Sequence, residues 1–436
     1  MEQSRVNPAS SPLQGAFSSS PGLDARAAAR RLRGSLHWLK NPYAVLDEAR
    51  KRHGLTFWLD LSLIGRTFVT GDPMLIQELT GHPELDAGRG IAALREVMGD
   101  RSMITLDGED HAARRRIVAP LFGREIERLD EMTARVTAEA LGEIPVGSQF
   151  SLYGLARRIS LRLIVRLVFG ESERAERLVD DFLLSFESPW VLFLKPLQID
   201  LGPFSPWGRT LRNRRRLREY LLERIAQCRR GTAPDAGLAR IVREGPELAD
   251  DEIATEVLAL LLFGHDTGAA TLAWAFAHLH QHPGAVALAR EEPAYLKACL
   301  EESMRLCPVV VHVTRVARCG LRIGGHDIPA GTRIFPSAYL AQRNPEVFQE
   351  PERFRPERFL AGRAYEGSYF PFGFSPRTCI GRHFVMRQMI LTTSAILRRA
   401  ELSLAPGYET RPERRLVLIL PRRGTRMVLE RRREAA

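Results

Sequence analysis

Apolar residues recur at every third and fourth position through much of the chain. This spacing predicts a helical region from about Asp72 to Arg230, with Ile126, Leu129, Met132 and Val136 as one of its stripes. Before it, Asn41 to Lys51 reads as a short helix. Leu55 to Thr70 alternates, is rich in Phe, Trp, Val and Thr, and breaks at Ile64-Gly65-Arg66, which predicts a hairpin. Asp250, Asp251 and Glu252 open a further helix, where carboxylates suit the N-terminal dipole, and it runs to about His280. Another helix ends at Pro308, and Phe384 to Leu397 reads as one more. Beyond Pro308 the period shortens. Leu321 to Ile328 alternates across Gly324-Gly325, and Leu416 to Leu420 with Met427 to Leu429 is expected to form a last hairpin. The expected fold class is mostly α with a small β component. With no internal repeat and no Pro/Gly/Ser linker between two cores, one domain over 41–436 is expected behind a partly disordered arm, 1–40.

Composition narrows the class. A chain of 436 residues, 44% hydrophobic and 26% charged, is globular and long enough to bury a large core. Its first twenty residues are polar and rich in Ser and Pro, with no apolar run of the secretory type. The best candidate for a membrane span, Val257 to Ala289, carries Asp266 and, after it, three histidines, and reads as a buried helix plus the start of the next. Five cysteines without close pairing argue against a disulfide framework or a structural zinc site. A soluble, cytoplasmic protein is expected. The formal net charge of +11 invites a nucleic-acid reading, as does the Arg-rich stretch from Arg411 to Arg433. Against it, the basic residues are spread throughout, and no zinc finger or stacking-aromatic box is present. Arg414-Arg415 and Arg422-Arg423 flank apolar strands and read as solvated edges. Part of the charge would serve better to dock an acidic electron-transfer protein.

One cysteine has unusual neighbours. Cys379 stands in Phe372-Gly373-Phe374-Ser375-Pro376-Arg377-Thr378-Cys379-Ile380-Gly381. Gly373, Pro376 and Gly381 suit a tight turn that approaches something closely. Backbone N–H groups and the Arg377 charge would favour thiolate over thiol, and a thiolate before a helix can ligate a metal or attack an electrophile. This segment resembles the haem-binding loop of the cytochrome P-450 haem-thiolate monooxygenases, with Ser375 where many members have Gly. The resemblance implies a P-450 fold in a single haem domain, haem b as cofactor, and Cys379 as the iron ligand, with Phe372, Arg377 and Gly381 at the cofactor.

Further motifs fall in the order this resemblance requires. Glu302-Ser303-Met304-Arg305 puts a carboxylate and a guanidinium on one helix face; by resemblance Glu302, Arg305 and Arg358 form a structural network. Phe263-Gly264-His265-Asp266-Thr267 places an acid inside an apolar helix, where it needs partners or water. It looks like the family's acid–alcohol pair, with Asp266 and Thr267 as the catalytic proton carriers. His111 and Arg115, four apart, resemble a pair that binds haem propionates, and Arg315 resembles another propionate arginine. By resemblance the substrate pocket draws on Ile91 to Met103, the aromatic Phe182 to Phe204, Leu260, Phe263, Gly264, Val310, Val311, His312 and Ile419. These are mostly apolar, so the expected substrate is a lipophilic small molecule: a terpenoid, steroid or fatty acid. His312 reads either as a polar anchor for it or as a packing histidine. After the cysteine loop only one helix and a hairpin remain, too little for a dinucleotide fold, so a ferredoxin and a ferredoxin reductase are expected as electron donors. A cysteine hydrolase built on Cys379 and His383 lacks an orienting Asn or Asp and leaves the other motifs unexplained. A haem sensor would need no Asp266-Thr267. With no long exposed apolar face, a monomer is expected.

Overall fold

The computed structural model describes residues 25–62, 64–99, 101–123, 126–185, 199–362 and 365–433. The helices that concern the site are α1 (Ala25–Lys40), α2 (Pro42–His53), α3 (Gly108–Val118), α4 (Leu152–Phe169), α5 (Glu173–Ser185), α6 (Pro206–Arg229), α7 (Asp250–Gly264), α8 (Asp266–Gln281), α9 (Pro293–Leu306) and α10 (Arg382–Arg399). The strands, in chain order, are β1 (Thr56–Leu61), β2 (Gly65–Thr70), β3 (Leu85–Asp86), β4 (Gln149–Ser151), β5 (Arg315–Ala317) and β6 (Leu321–Ile323). They continue with β7 (His326–Ile328), β8 (Arg333–Pro336), β9 (Ala400–Leu404), β10 (Pro412–Arg415), β11 (Leu418–Pro421) and β12 (Arg426–Arg432). Where the sequence suggests one domain, the chain groups into two compact units.

The smaller unit comprises residues up to Asp86 together with Val311–Pro351 and Tyr365–Phe370. Its core is a five-stranded sheet in the order β1-β2-β8-β5-β3. The expected hairpin is there: β1 and β2 pair antiparallel from Thr56↔Thr70 to Leu61↔Gly65. Gly65 supplies the positive φ of 82° that its turn requires. Strand β2 then takes β8 in parallel, and β6 and β7 close across Gly324-Gly325 as a separate hairpin. Phe68, Leu79, Ile323, Ile328 and Ile334 form the buried centre. Of the arm expected to be partly disordered, the described portion, Ala25–Lys40, is the helix α1. Ala and Arg are good helix formers, and Ser35 and Trp38 are buried, but the pattern is too sparse in large apolar residues to announce itself. Helix α2 begins where expected, with the Asn41 side chain accepting from the Ala44 N–H.

The larger unit comprises Ala87–Val310, Glu352–Ala364 and the chain from Pro371 on. Its axis is the run Asp250–Gln281, that is, α7 followed by α8. Among the described residues this is the one helical run long and apolar enough to cross a membrane, and 72% of its most apolar window is buried inside the protein. Two apolar clusters flank it. One gathers Leu161, Ile164, Val168 and Leu217 against Val257, Leu258 and Leu261 of α7. The other gathers Tyr153, Leu300, Met304, Met389, Leu418 and Leu420 against Ala269, Leu272, Ala273 and Ala275 of α8. A Cβ on Gly268 would lie 2.8 Å from Val385 Cγ2, so this glycine lets α8 and α10 approach.

The last hairpin is not the expected one. Strand β11 pairs with β10, in the register Pro412↔Pro421 to Arg415↔Leu418, while β12 pairs with both β4 and β9. The turn after β11 explains the difference. Arg423, Gly424 and Thr425 all have positive φ, which diverts the chain out of the β11 ladder and into the second sheet. Nor are Arg414 and Arg415 solvated edges: both lie within β10 and are half-buried. The Arg415 guanidinium lies over the Tyr153 ring, 5.0 Å from its centroid, and burial pushes Arg414 down to about 10.

Candidate haem-thiolate site

The loop that precedes α10 is folded on its own backbone. The Cys379 N–H donates to Phe372 O at 2.8 Å and the Arg377 N–H to Phe374 O at 3.0 Å, while Gly373 takes φ 69°. Cys379 is solvent-accessible, yet the protein around it is dense enough that burial is the largest influence on its thiol and pushes it above the ordinary value. A backbone hydrogen bond involving Gly381 and the positive charges of Arg115 and Arg382 act the other way. Arg115 and Arg382 thus act as cations on the sulfur. Arg377 instead donates to Met103 O at 3.1 Å and to Leu106 O, and pairs with Asp107 at 2.6 Å. Phe372 is partly buried against the cluster around α8, and Gly381 faces the Phe122 ring.

The helical run breaks at His265, which has φ −107° and ψ −35°. Side chains compete there for helix carbonyls: the His265 ring bonds Leu261 O at 2.8 Å, and Thr267 Oγ1 donates to Phe263 O at 3.4 Å. Burial holds the His265 imidazole neutral, down to about 4, against the pull of the Asp266 carboxylate. Asp266 accepts a hydrogen bond from the Tyr153 hydroxyl and lies 3.9 Å from Arg157 Nε; Arg157 in turn reaches Asp180 at 3.2 Å. Burial, with the Asp266 charge, raises the Tyr153 phenol, so it stays a donor. The exposure pattern is informative. Residues 256–262 and 268–279 are buried, but Phe263, Gly264, Asp266 and Thr267 between them are partly accessible. An accessible patch in the middle of a buried helix marks these four residues as candidates to face a ligand.

Glu302, Arg305 and Arg358 meet. The Glu302 carboxylate accepts from Arg305 Nε at 2.7 Å and Nη2 at 2.9 Å, from Arg358 Nε at 3.1 Å and from the Arg355 N–H at 2.9 Å. The Glu302 and Arg305 side chains are 0% exposed. On α3, His111 is buried and Arg115 half-buried. Leu260 lies in the larger apolar cluster. A Cβ on Gly264 would lie 3.3 Å from Ile164 Cδ1, so α4 fills that side of the helix. Ile419 is buried, with its N–H bonded to Val309 O and its carbonyl to Trp274 Nε1. Val310 is partly exposed. Val311, His312 and Arg315 belong to the smaller unit. There His312 stacks on Phe335, with centroids 3.7 Å apart, and faces Trp38 at 5.7 Å, which is the packing role. Arg315 is buried in β5, its Nη1 donating to Thr314 O. Of the aromatic stretch from Phe182 to Phe204, residues 186–198 lie outside the described residues; Phe182 is buried and Phe204 is 88% exposed.

Sequence reasoning missed several polar residues here. Tyr153 and Arg157 gave no signal, because their partner is distant in sequence. Glu256 did give one: it is a lone acid in an apolar run, and it is 1% exposed and paired with Arg114.

The donor set bears on what the loop can hold. Among the described residues there is no group of three or more His, Cys, Asp or Glu side chains able to cage a metal ion. A single thiolate cannot complete the coordination of a bare first-row ion, but it suffices for iron whose equatorial nitrogens a porphyrin supplies. An accessible sulfur, two arginines acting on it and a partly accessible helix patch fit haem.

Comparison with known proteins agrees. The family model described as Cytochrome P450 matches residues 29–428. Cytochrome P450 137 of Mycobacterium tuberculosis is 31% identical over 397 residues, covering 86% of this chain and 83% of that protein. Cytochrome P450 135B1 of Mycobacterium bovis is 30% identical over 427 residues, covering 91% and 90%. Among solved structures, the cytochrome P450DA haem domain superposes with a TM-score of 0.77 at 21% identity, covering 92% of this chain and 95% of that one. A retinoic acid-bound cyanobacterial CYP120A1 gives 0.76 at 22%, covering 91% and 97%. The chain belongs to the cytochrome P450 family. It is a haem-thiolate monooxygenase with the mostly helical fold of that family, and its cofactor is iron protoporphyrin IX.

Proposed function

We propose that this monooxygenase hydroxylates a lipophilic small molecule, with Cys379 as the iron ligand and Asp266 and Thr267 as the residues that manage protons. The observation that carries the reading is the accessible patch Phe263-Gly264-Asp266-Thr267 in an otherwise buried helix, together with an accessible Cys379 in dense surroundings. Haem bound there supplies the activation of dioxygen, at the cost of two electrons and two protons, for insertion of one oxygen atom into a C–H bond. The chain's own residues do the rest. Phe263 and Leu260 offer apolar surface to the substrate and exclude water. Thr267 presents a hydroxyl, which can both donate and accept, beside the carboxylate of Asp266. Tyr153 and Arg157 hold that carboxylate, and Arg157 connects it to Asp180 on α5. His111, Arg115 and Arg377, all of the larger unit, are assigned to the propionates, Arg377 sharing its guanidinium with Asp107.

Electrons are assigned to a ferredoxin and its reductase, in keeping with a family whose members draw on redox partners. The net charge of +11 suits an acidic donor. We place the enzyme in the cytoplasm as a monomer. The test is the carbon monoxide difference spectrum of the reduced protein. A strongly red-shifted Soret band in wild type, lost in Cys379→Ala, supports the ligand assignment; a band unchanged by the substitution refutes it. A panel of steroids, terpenoids, fatty acids and retinoic acid, scored by the shift of the ferric haem spectrum, tests the substrate class. Shifts produced only by charged, hydrophilic compounds would refute it.

A further inference from the structure

The segment 101–107 is held from two sides. The Met103 N–H donates to Glu256 Oε1 on α7 at 2.7 Å, and the Met103 carbonyl accepts from Arg377 of the cysteine loop at 3.1 Å. One residue's backbone thus joins the central helix to the loop that bears Cys379. Asp107, at the end of the segment, pairs with Arg377 and also accepts from the N–H groups of Ala87 and Gly88. The Glu256 carboxylate is thus the acceptor on α7 that holds the Met103 backbone, and on the same side Arg101 of the segment reaches Glu252.

The charges around Glu256 do not balance. From α3, Arg114 Nη1 reaches Glu256 Oε1 at 3.0 Å and Arg114 Nη2 reaches Glu252 Oε1 at 2.9 Å. Arg101, on the segment itself, lies 3.1 Å from Glu252 but is largely exposed, and Ser102 offers its hydroxyl to Glu256. Two carboxylates therefore share one buried guanidinium, and the deeper of them is 1% exposed. Burial dominates over the Met103 N–H and Arg114 and pushes the Glu256 carboxyl up to about 7. Water would return it to an ordinary carboxylate. Opening the segment admits water, so ionisation of Glu256 favours the open form and protonation the closed one.

We propose that Glu256 is a positioning residue that latches the 101–107 segment over the cleft beside α7 in a protonation-dependent way, loosening that wall of the haem site as the carboxyl ionises. The proposal rests on the reading of this cleft as the haem and substrate site. A carboxyl that titrates near 7 when closed and near 4.5 when open raises the opening equilibrium about tenfold between pH 6 and pH 8.

Hydrogen–deuterium exchange of the haem-loaded protein, read on peptides covering 101–107 and normalised for intrinsic exchange, measures this opening. Protection is expected to fall about tenfold from pH 6 to pH 8 in wild type, to stay level in Glu256→Gln, and to stay level in both on peptides from β1 and β2. Glu252→Gln, at a more exposed carboxylate, leaves Arg114 wholly to Glu256 and is expected to shrink the slope; it keeps the test decisive if Glu256→Gln folds poorly. The rate of carbon monoxide recombination after photolysis is expected to rise over the same range in wild type alone. A level wild-type exchange profile, a slope that survives Glu256→Gln, or a slope in exchange without one in recombination overturns the proposal. Failure of the haem reading would show separately, as a carbon monoxide spectrum of wild type without the thiolate band.

Discussion

Removing the Glu302 carboxylate is the most demanding test of how the larger unit is held. It accepts four hydrogen bonds, three of them from two guanidinium groups whose side chains are 0% and 8% exposed. In Glu302→Ala both buried cations lose this counter-charge. Breaking such a pair from one side costs about 3–5 kcal/mol, because the charge that remains is still desolvated. The larger unit has roughly 300 residues, and at about 2.1 cal/mol/K per residue its unfolding entropy is about 0.6 kcal/mol/K. The thermal midpoint should therefore fall by about 5–8 °C. Since whole domains are stable by only about 5–15 kcal/mol, the soluble, haem-loaded yield should fall with it. Scanning calorimetry and the ratio of Soret to protein absorbance measure both. Arg358→Ala removes one arm only and should cost about 1.5–3 kcal/mol, the worth of a hydrogen bond to a charged group. A Glu302→Ala protein that melts within a degree of wild type would show that the network carries no net stability.

Two buried groups should bend the stability curve in opposite directions. His265, held neutral down to about 4, contributes stability that is present above its ordinary value near 6.5 and is lost as pH falls toward 4; His265→Asn should remove up to about 3 kcal/mol of that slope in melts from pH 4 to 6.5. Glu256, raised to about 7, does the reverse: native stability declines as pH climbs from about 4.5 to 7, and Glu256→Gln should flatten that limb. Asp266→Asn should lower turnover about 100-fold or more while leaving the substrate-induced spectral shift in place, as steady-state rates and spectral titrations would show. Gly268→Ala forces a Cβ within 2.8 Å of Val385 and should cost about 1–3 kcal/mol in calorimetry.

The parts of the fold that were legible are those coded locally. The β1–β2 hairpin, the hairpin across Gly324-Gly325, the acidic start of α7 and the helix behind the cysteine loop follow from period, turn residues and end charges. Strand partners distant in sequence were not legible. Met427 and Leu429 alternate properly, but nothing in the alternation tells that β12 joins Gln149–Ser151 and not β11. The same limit applies to the site. Glu302 and Arg305, three apart on one helix, could be paired by eye, whereas the Tyr153–Asp266 and Arg377–Asp107 partnerships cross more than a hundred residues. Arg377 shows the difference most plainly. Its place two residues before Cys379 suggests a charge on the sulfur, yet its guanidinium pairs with Asp107, while Arg115, distant in sequence, acts on the sulfur.

The pairing of Ser151 with Arg426 sets a schedule for the newborn chain. On the ribosome, β4 emerges long before β12 exists, and at about 5–20 residues per second the wait is roughly 15–55 s. Throughout it the edge of β4 and the apolar flank of α4 stay without the strand that completes their sheet, and the cysteine loop has only just been made when that strand arrives. The larger unit cannot close one segment at a time as it is translated. Capture of the cofactor thus belongs to the last stage of biogenesis, when nearly the whole polypeptide is available, and slow translation lengthens exposure of the half-built sheet to chaperones and proteases.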